Sequence, residues 1–575
     1  MGGRGLLAVA SIVWVLAAVG QAEVRGARFA VLGAESAVPR AGSGVPPRTA
    51  HRAPRTVNPA PRTAHRAPRT DSSVCIVCHD RLVSPSGEDV SIGGSWRASM
   101  MANSARDPYW QAAVRREVMD HPEAQAAIED ECSICHMPLA TYADRAAGGS
   151  GRIFARLPIG GSGDPAAADA AEGVSCVVCH RITAEKLGSP ASFTGGYVLA
   201  AAPAGRPPEM FGPFQVDAGR TTVMHSASGY VPAEASHVQT SELCATCHTL
   251  FTGALEPGGG EPTGRLPEQA PYLEWRHSAY RESRSCQSCH MPDVAERVAV
   301  SGVLGQPREE VSRHVFLGGN FFMMRMLNRY RDELGVVATP GEMALAIART
   351  VEHLQRDTAS VAIEPGPTAA GRLEFDVVAR NLAGHKLPTA YPSRRAWLHV
   401  VVRDGTGRTV FESGALEPDG RIRGNDNDED PTRFEPHHER VGRADQVQVY
   451  ESIMAGANGA LTTGLLSGVR YVKDNRLLPA GFDKAAAPDD IAVHGDAGTD
   501  ADFLAGGDRV TYAISLPGTG AYEISAELRF QPIGYRWAEN LRAYDAFETR
   551  RFVRYYDAMS AESALTIARA TRRAP

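Results

Sequence analysis

The sequence predicts an α+β chain. A loop-rich region with helices spans residues 71–312, a helical segment spans 313–357, a β-sandwich-like domain spans 358–534, and a closing helix spans 535–575. Two observations predict this. All ten cysteines lie between Cys75 and Cys289, in a stretch rich in Gly, Pro and Ala with few periodic apolar runs, so that region must pack on something other than its own side chains. From about Thr358 the apolar pattern changes to period two, broken by Gly/Pro turns, as in a sandwich of short strands.

The first 22 residues read as an export signal. Arg4 precedes an apolar run from Leu6 to Val19, and Gly20 and Ala22 suit the positions a signal peptidase reads. The run is shorter than the roughly 20 residues of a spanning helix. The mature chain is therefore expected to be soluble, without an integral membrane span, and periplasmic or extracellular. Residues 23–70 read as a disordered Pro/Arg-rich linker, because dense proline blocks helices and ladders. Within it, Pro47 to Thr56 recurs as Pro61 to Thr70, and His51 and His65 belong to that repeat rather than to a ligand set. The linker is a solvated spacer, with docking on an acidic partner or membrane surface as its alternative role. The whole chain has net charge -6, which excludes nucleic acid as the main partner.

Helices are expected over Asp107–Met119 and leading up to Glu131. Asn320 can cap a helix from Phe321 to Leu334 ended by Gly335, and Thr339-Pro340-Gly341-Glu342 fits a capping box. Beyond it, Met343, Ile347, Val351 and Leu354 line one face. Strands are expected around Leu373, Phe375 and Val377; Trp397 to Val402; Val510, Tyr512 and Ile514; and Ile524 to Phe530. One amphipathic helix is expected to carry Trp537, Leu541, Tyr544, Phe547, Phe552 and Tyr555.

Every cysteine belongs to one repeated motif, Cys-x-x-Cys-His: Cys75, Cys78 and His79; Cys132, Cys135 and His136; Cys176, Cys179 and His180; Cys244, Cys247 and His248; Cys286, Cys289 and His290. This is the c-type haem attachment pattern. Two thiols reach the two vinyl groups on one haem edge, and the next residue's imidazole can ligate iron from the proximal side. A disulfide framework or paired zinc sites would also use Cys pairs. Neither explains a histidine after every pair, when histidine is 18 of 575 residues. Five haem c groups are expected, and their apolar faces supply the core that the region lacks.

Each iron needs a second axial ligand or an open position. The candidates are His121, His225, His237, His277 and His314, together with His385 in the loop Gly384-His385-Lys386-Leu387-Pro388; His353 and His399 read as ordinary helix and strand residues. Trp96-Arg97-Ala98-Ser99-Met100-Met101 echoes the Trp275 segment in its Trp and Ser spacing. Met100 or Met101 is a candidate thioether ligand, with packing on a porphyrin face as the alternative.

Ser95 to Met101, Cys132 to Pro138, Ser241 to Leu250, Glu274 to Tyr280 and Cys286 to Pro292 resemble segments of the multihaem c-type cytochromes related to the tetrahaem electron carrier of ammonia-oxidising bacteria. The resemblance implies haems stacked in close pairs, mostly bis-histidine irons, and electron transfer. Gly384 to Thr389, Tyr391 to Trp397 and Lys473 to Pro479 are similar to segments of larger bacterial multihaem cytochromes, so the C-terminal domain is an addition to the carrier. Met101 stands where related segments place a histidine.

Asn425 to Asp430 is a run of hard oxygen donors, a candidate calcium loop lacking the full EF-hand pattern, with His437 and His438 nearby. No nucleophile elbow, phosphate loop or zinc-protease motif occurs. The leading function is electron transfer in extracytoplasmic respiration. Expected partners are other cytochromes or a quinol-oxidising membrane complex. The alternatives are an oxidoreductase with one open haem acting on a small nitrogen or sulfur compound, and a subunit of an extracellular cytochrome filament.

Overall fold

The computed structural model describes residues 70–202, 204–255, 264–369, 371–516 and 520–574. The expected export signal, and the linker up to residue 69, lie outside these. Among the described residues no helix is long and apolar enough to cross a membrane.

Mixed helix and sheet are both present. In the cysteine-bearing region helices are short, except Pro108–Asp120 and Gln125–His136. Asp107 caps the former, its carboxylate accepting from the backbone N–H groups of Tyr109 and Trp110. Apolar side chains here form small separate clusters, such as Ile134 with Val174, Val177, Val178 and Tyr197. This is the thin core that the composition predicts.

Two larger sheets and a three-stranded one (Leu461–Thr462, Ser452–Ala455 and Arg470–Asp474) occupy the C-terminal half. In one larger sheet, Gly507–Ser515 lies between Arg440–Val441 and Arg372–Asn381, and Ala359–Ala369 pairs with Arg372–Asn381. In the other, Arg395–Asp404 and Tyr522–Gln531 are central, flanked by Thr409–Ser413 and Leu565–Ala574. The alternating residues of the sequence are cross-strand partners: Tyr512 opposes Phe375, Ile514 opposes Leu373, and Ala526 opposes Val400. All are buried in one shared core, as period-two strands with one apolar face require.

Three expectations are corrected. The segment 535–575 is not one helix. It forms Tyr535–Glu539, Phe547–Asp557 and then the strand Leu565–Ala574, because Leu565, Ile567 and the residues after them alternate and complete the edge beside Tyr522–Gln531. The helix from Phe321 breaks at Tyr330 into Phe321–Arg329 and Arg331–Leu334, though Gly335 ends it with φ +65°. Asn320 does not cap it; its side-chain oxygen accepts from Arg394 instead, 2.9 Å. The capping box at Thr339 and Glu342 is present, starting the helix Pro340–Arg356.

The cysteine-bearing region packs directly on the C-terminal half. Tyr109 meets Phe552 edge-on at 5.1 Å, and Arg115 pairs with Glu548 at 2.9 Å.

Candidate cofactor-attachment site

Each Cys-x-x-Cys-His unit sits on a helical turn: Ser73–His79, the end of Gln125–His136, Cys176–Cys179 with His180 at its cap, Ser241–His248 and Cys286–His290. Residues i, i+3 and i+4 of a helix share a face, so both thiols and the imidazole point to one side.

The five units are neighbours. The Cys75 thiol contacts that of Cys176, Cys135 contacts Cys247, and Cys244 contacts Cys286. Disulfides along these contacts would leave Cys78, Cys132, Cys179 and Cys289 without partners, which argues against a disulfide framework. All ten thiols are partly accessible. Yet burial pushes Cys179 up to about 12 and Cys132 well above the usual thiol range. His248 is likewise exposed, while desolvation lowers its pKa. Groups that are accessible and desolvated at once line an interior space.

Four of the five motif imidazoles use Nδ1 on a backbone carbonyl: His79 on Val300 (2.6 Å), His136 on Ser104 (3.2 Å), His180 on Phe211 (2.6 Å) and His290 on Leu317 (2.5 Å). Such a bond fixes the tautomer and leaves Nε2 for a metal. Burial lowers His136 and His290 to about 4, so both rings are neutral at pH 7. Trp110 stacks on His136 at 4.3 Å and 3°.

Two candidate sixth ligands face motif histidines. His314 lies 6.2 Å from His180, ring centre to ring centre, with planes 17° apart; His385 lies 6.1 Å from His290 at 10°. Two imidazoles on opposite sides of one metal have centres about 6 Å apart, since each metal–nitrogen bond is about 2 Å and each ring centre lies about 1 Å beyond. His314 and His385 also place Nδ1 on carbonyls, of Ser312 (3.1 Å) and Lys386 (2.9 Å). The donor set therefore fits covalently held haem with two imidazoles per iron at these two units.

The structure does not bring the other four candidates opposite a motif histidine. His237 donates from Nε2 to the Ile182 carbonyl (2.8 Å) and meets Phe211 edge-on at 5.1 Å. His277 is exposed beside Phe482. His121 is buried 3.5 Å from the Ser467 hydroxyl. His225 is half-buried on Ala218–Ser228, a helix packed on the first motif. Conversely His353, which the sequence reads as an ordinary helix residue, lies 6.2 Å from His290 at 63°. No sequence signal marks it.

The echo between the two Trp segments is structural. Trp96 donates its indole N–H to Val174 and Trp275 donates to Arg284, each acceptor two residues ahead of a motif cysteine (2.9 and 2.8 Å). Ser99 and Ser278 close the same turn onto the Trp carbonyls. Met101 packs against the cluster of Ile134, Val174, Val177 and Val178, which Cys135, Cys179 and Cys247 also border, while Met100 packs on the main core.

Most donors of the candidate calcium run already have partners within the fold. Asp428 pairs with Arg395 (2.7 Å), Asp426 pairs with Arg433, Asp430 accepts from Thr432, and Asn425 caps the turn. His437, Asp500 and Asp508 are buried with ligand atoms within 4.8 Å of one another. The network nonetheless assigns the proton. Gln448 and Asn475 donate amide N–H groups to His437 Nδ1 (2.8 and 3.1 Å), so Nε2 carries the hydrogen that Asp500 accepts (2.9 Å). That is a polar network in which one atom, Asp508 Oδ1, is buried without a hydrogen-bond partner.

Buried Glu268, near the second motif, accepts from Thr252 (2.6 Å), and desolvation raises its pKa to about 8. Its folded pKa exceeds its unfolded one, so its protonated form favours the fold below about pH 4.5, and that contribution is lost as pH rises towards 8. Glu268→Gln is expected to melt higher than wild type at pH 7.5, by the equivalent of a few kcal/mol, and equally at pH 4.5. A lower melting point at pH 7.5 would refute this.

No family model matches the chain, and no curated protein matches it. Among solved structures the chain is similar to a penta-heme cytochrome c552 from Thermochromatium tepidum. Identity is 15% and the TM-score 0.47, over 89% of this chain and 99% of that one. At that score the likeness carries no argument, and the functional reading rests on the geometry above.

Proposed function

We propose that this chain carries five covalently attached c-type haems, one per Cys-x-x-Cys-His unit, and transfers electrons outside the cytoplasm. The observation that carries the reading is the pair of nearly parallel imidazole couples, His180 with His314 and His290 with His385, spaced as two ligands of one metal require. Bound haem supplies a one-electron iron couple. The chain does the rest. Cysteine pairs anchor the group, and carbonyl bonds to Nδ1 orient the proximal rings. His314 and His385 would hold the group from the side opposite His180 and His290 and would keep substrate from those irons. Thiol contacts between the first and third, second and fourth, and fourth and fifth units set the attachment points side by side. This suits stepwise transfer through one body, with electrons exchanged with other cytochromes or a quinol-oxidising complex.

The test is haem stoichiometry by pyridine haemochrome on mature protein exported by a cytochrome c maturation host, together with EPR spin state. Five haems per chain, with at least two irons low-spin, are expected. Colourless protein, or zinc or cystine in place of iron, overturns the proposal.

A further inference from the structure

Buried charge is normally paired, because an unpaired ion far from water is costly. The neighbouring arginines obey this. Arg395 holds Asp428 with two bonds (2.7 and 2.9 Å), and Arg476 is clamped by Asp474 and Glu274 (2.7 and 3.0 Å). Arg394 does not. Its Nη1 donates to the Thr389 carbonyl (3.1 Å) and its Nη2 to the Asn320 side-chain oxygen (2.9 Å), both neutral acceptors. Among the described residues it makes no ion pair. The acid whose charge it feels is Asp107, and that carboxylate is engaged as a helix cap, accepting from Tyr109 and Trp110 (2.9 and 3.2 Å).

The guanidinium is also held in place. Asn320 forgoes its own helix cap to bind it, leaving the remaining N–H groups of the fork for another partner. Arg394, Asp107 and Tyr391 are each partly accessible, yet desolvation shifts all three, taking Arg394 down to about 10 and Asp107 up to about 6. They therefore line an interior space, as His248 does. Through the Thr389 carbonyl the guanidinium is fixed to the loop that carries His385.

We propose that Arg394, fixed by Asn320 and Thr389, forms an anion-binding subsite against the loop that carries His385, and that it takes the oxygens of a carboxylate or small oxyanion. A planar fork with free donors, in a water-poor space, matches that chemistry. The anion has two sources: a propionate of an attached haem, which rests on the proposed function, or a diffusible oxyanion of the sulfite or nitrite class, which does not.

The experiment compares full-length holoprotein of wild type, Arg394→Gln and Arg394→Lys at matched haem content, by spectroelectrochemical redox titration and by absorbance titration with sulfite. If a propionate is the partner, Arg394→Gln lowers at least one midpoint potential, Arg394→Lys lowers it less, and sulfite has no effect on any of the three. If a free oxyanion is the partner, wild type shows a saturable sulfite-induced spectral change that Arg394→Gln loses. Unchanged potentials together with an unchanged sulfite response in Arg394→Gln overturn the proposal. Should that variant fail to accumulate, the same null result in Arg394→Lys, which keeps the charge but loses the fork, overturns it instead. Wild type with fewer than five haems counts against the attachment reading, and the sulfite arm then decides the subsite alone.

Discussion

Replacing His385 by alanine is expected to turn one iron high-spin while all haems stay attached. The thioethers are untouched, so the haem count holds; only the second imidazole facing His290 is lost. Carbon monoxide, which does not bind a bis-histidine iron, should then bind in proportion to roughly one-fifth of the haem. His314→Ala should do the same at His180. His353→Ala is the informative control, since His353 is as near to His290 as His385 is. His353, however, meets His290 at 63° from a helix, whereas His385 lies at 10° and its loop is tied down on several sides. Asn381 donates to the His385 carbonyl (2.7 Å), and Leu387 pairs with Leu477 in both directions (2.9 Å each). The His353 variant should therefore stay low-spin. EPR and carbon monoxide difference spectra of the three variants decide the matter. Low-spin spectra in both His385→Ala and His314→Ala would remove the basis of the ligand assignment.

What could be read from the sequence was whatever local chemistry dictates. The five attachment units are contiguous motifs, so their residues and their shared helical face follow from spacing alone. The strands around Phe375, Tyr512 and Ala526 were legible because one buried face imposes period two. The closing segment misled because Trp537 to Tyr555 has helical spacing, while the strand after it, Leu565–Ala574, is fixed by pairing with Tyr522–Gln531. Sixth ligands were only half legible for the same reason. A lone histidine carries no mark of what it will face: His314 and His385 reach motif rings through loops, His237 is captured by the Ile182 carbonyl, and His353 is carried to His290 by packing of its helix. Arg394 and Asn320 illustrate the limit. Asn before a helix reads as a cap, and only the fold shows it serving a half-buried guanidinium 74 residues away.

Asp474→Asn is expected to produce the largest loss of stability. Asp474 is buried between two cations, accepting from Lys386 Nζ (2.7 Å) and from Arg476 Nε and Nη2 (2.9 and 2.7 Å). Lys386 is fully buried, and its only other acceptor is the Ala492 carbonyl (3.0 Å). Removing one partner of such a buried pair leaves an uncompensated charge and costs about 3–5 kcal/mol. The neighbouring cations hold the Asp474 carboxyl well below the usual carboxylate range, so its contribution is present above the unfolded pKa near 4 and is lost as pH falls below it. The wild-type advantage over Asp474→Asn should therefore shrink in acid. The network reaches function through position. Glu274, fully buried on Pro271–Arg276, accepts from the Lys386 backbone N–H (3.1 Å) and from Thr389 (2.5 Å) and forms an ion pair with Arg476 (3.0 Å), and so fixes the loop that carries His385 to the cysteine-bearing region. Loosening it should raise the high-spin fraction at the same iron that His385→Ala exposes. Adding Lys386→Met separates charge from packing. Arg476 keeps Glu274 in the double variant, so removing the orphaned ammonium should recover part of the loss. Denaturation midpoints for wild type, both single variants and the double give the coupling. Strict additivity would mean that the two side chains do not act as a pair, and that the loop is held by its backbone alone.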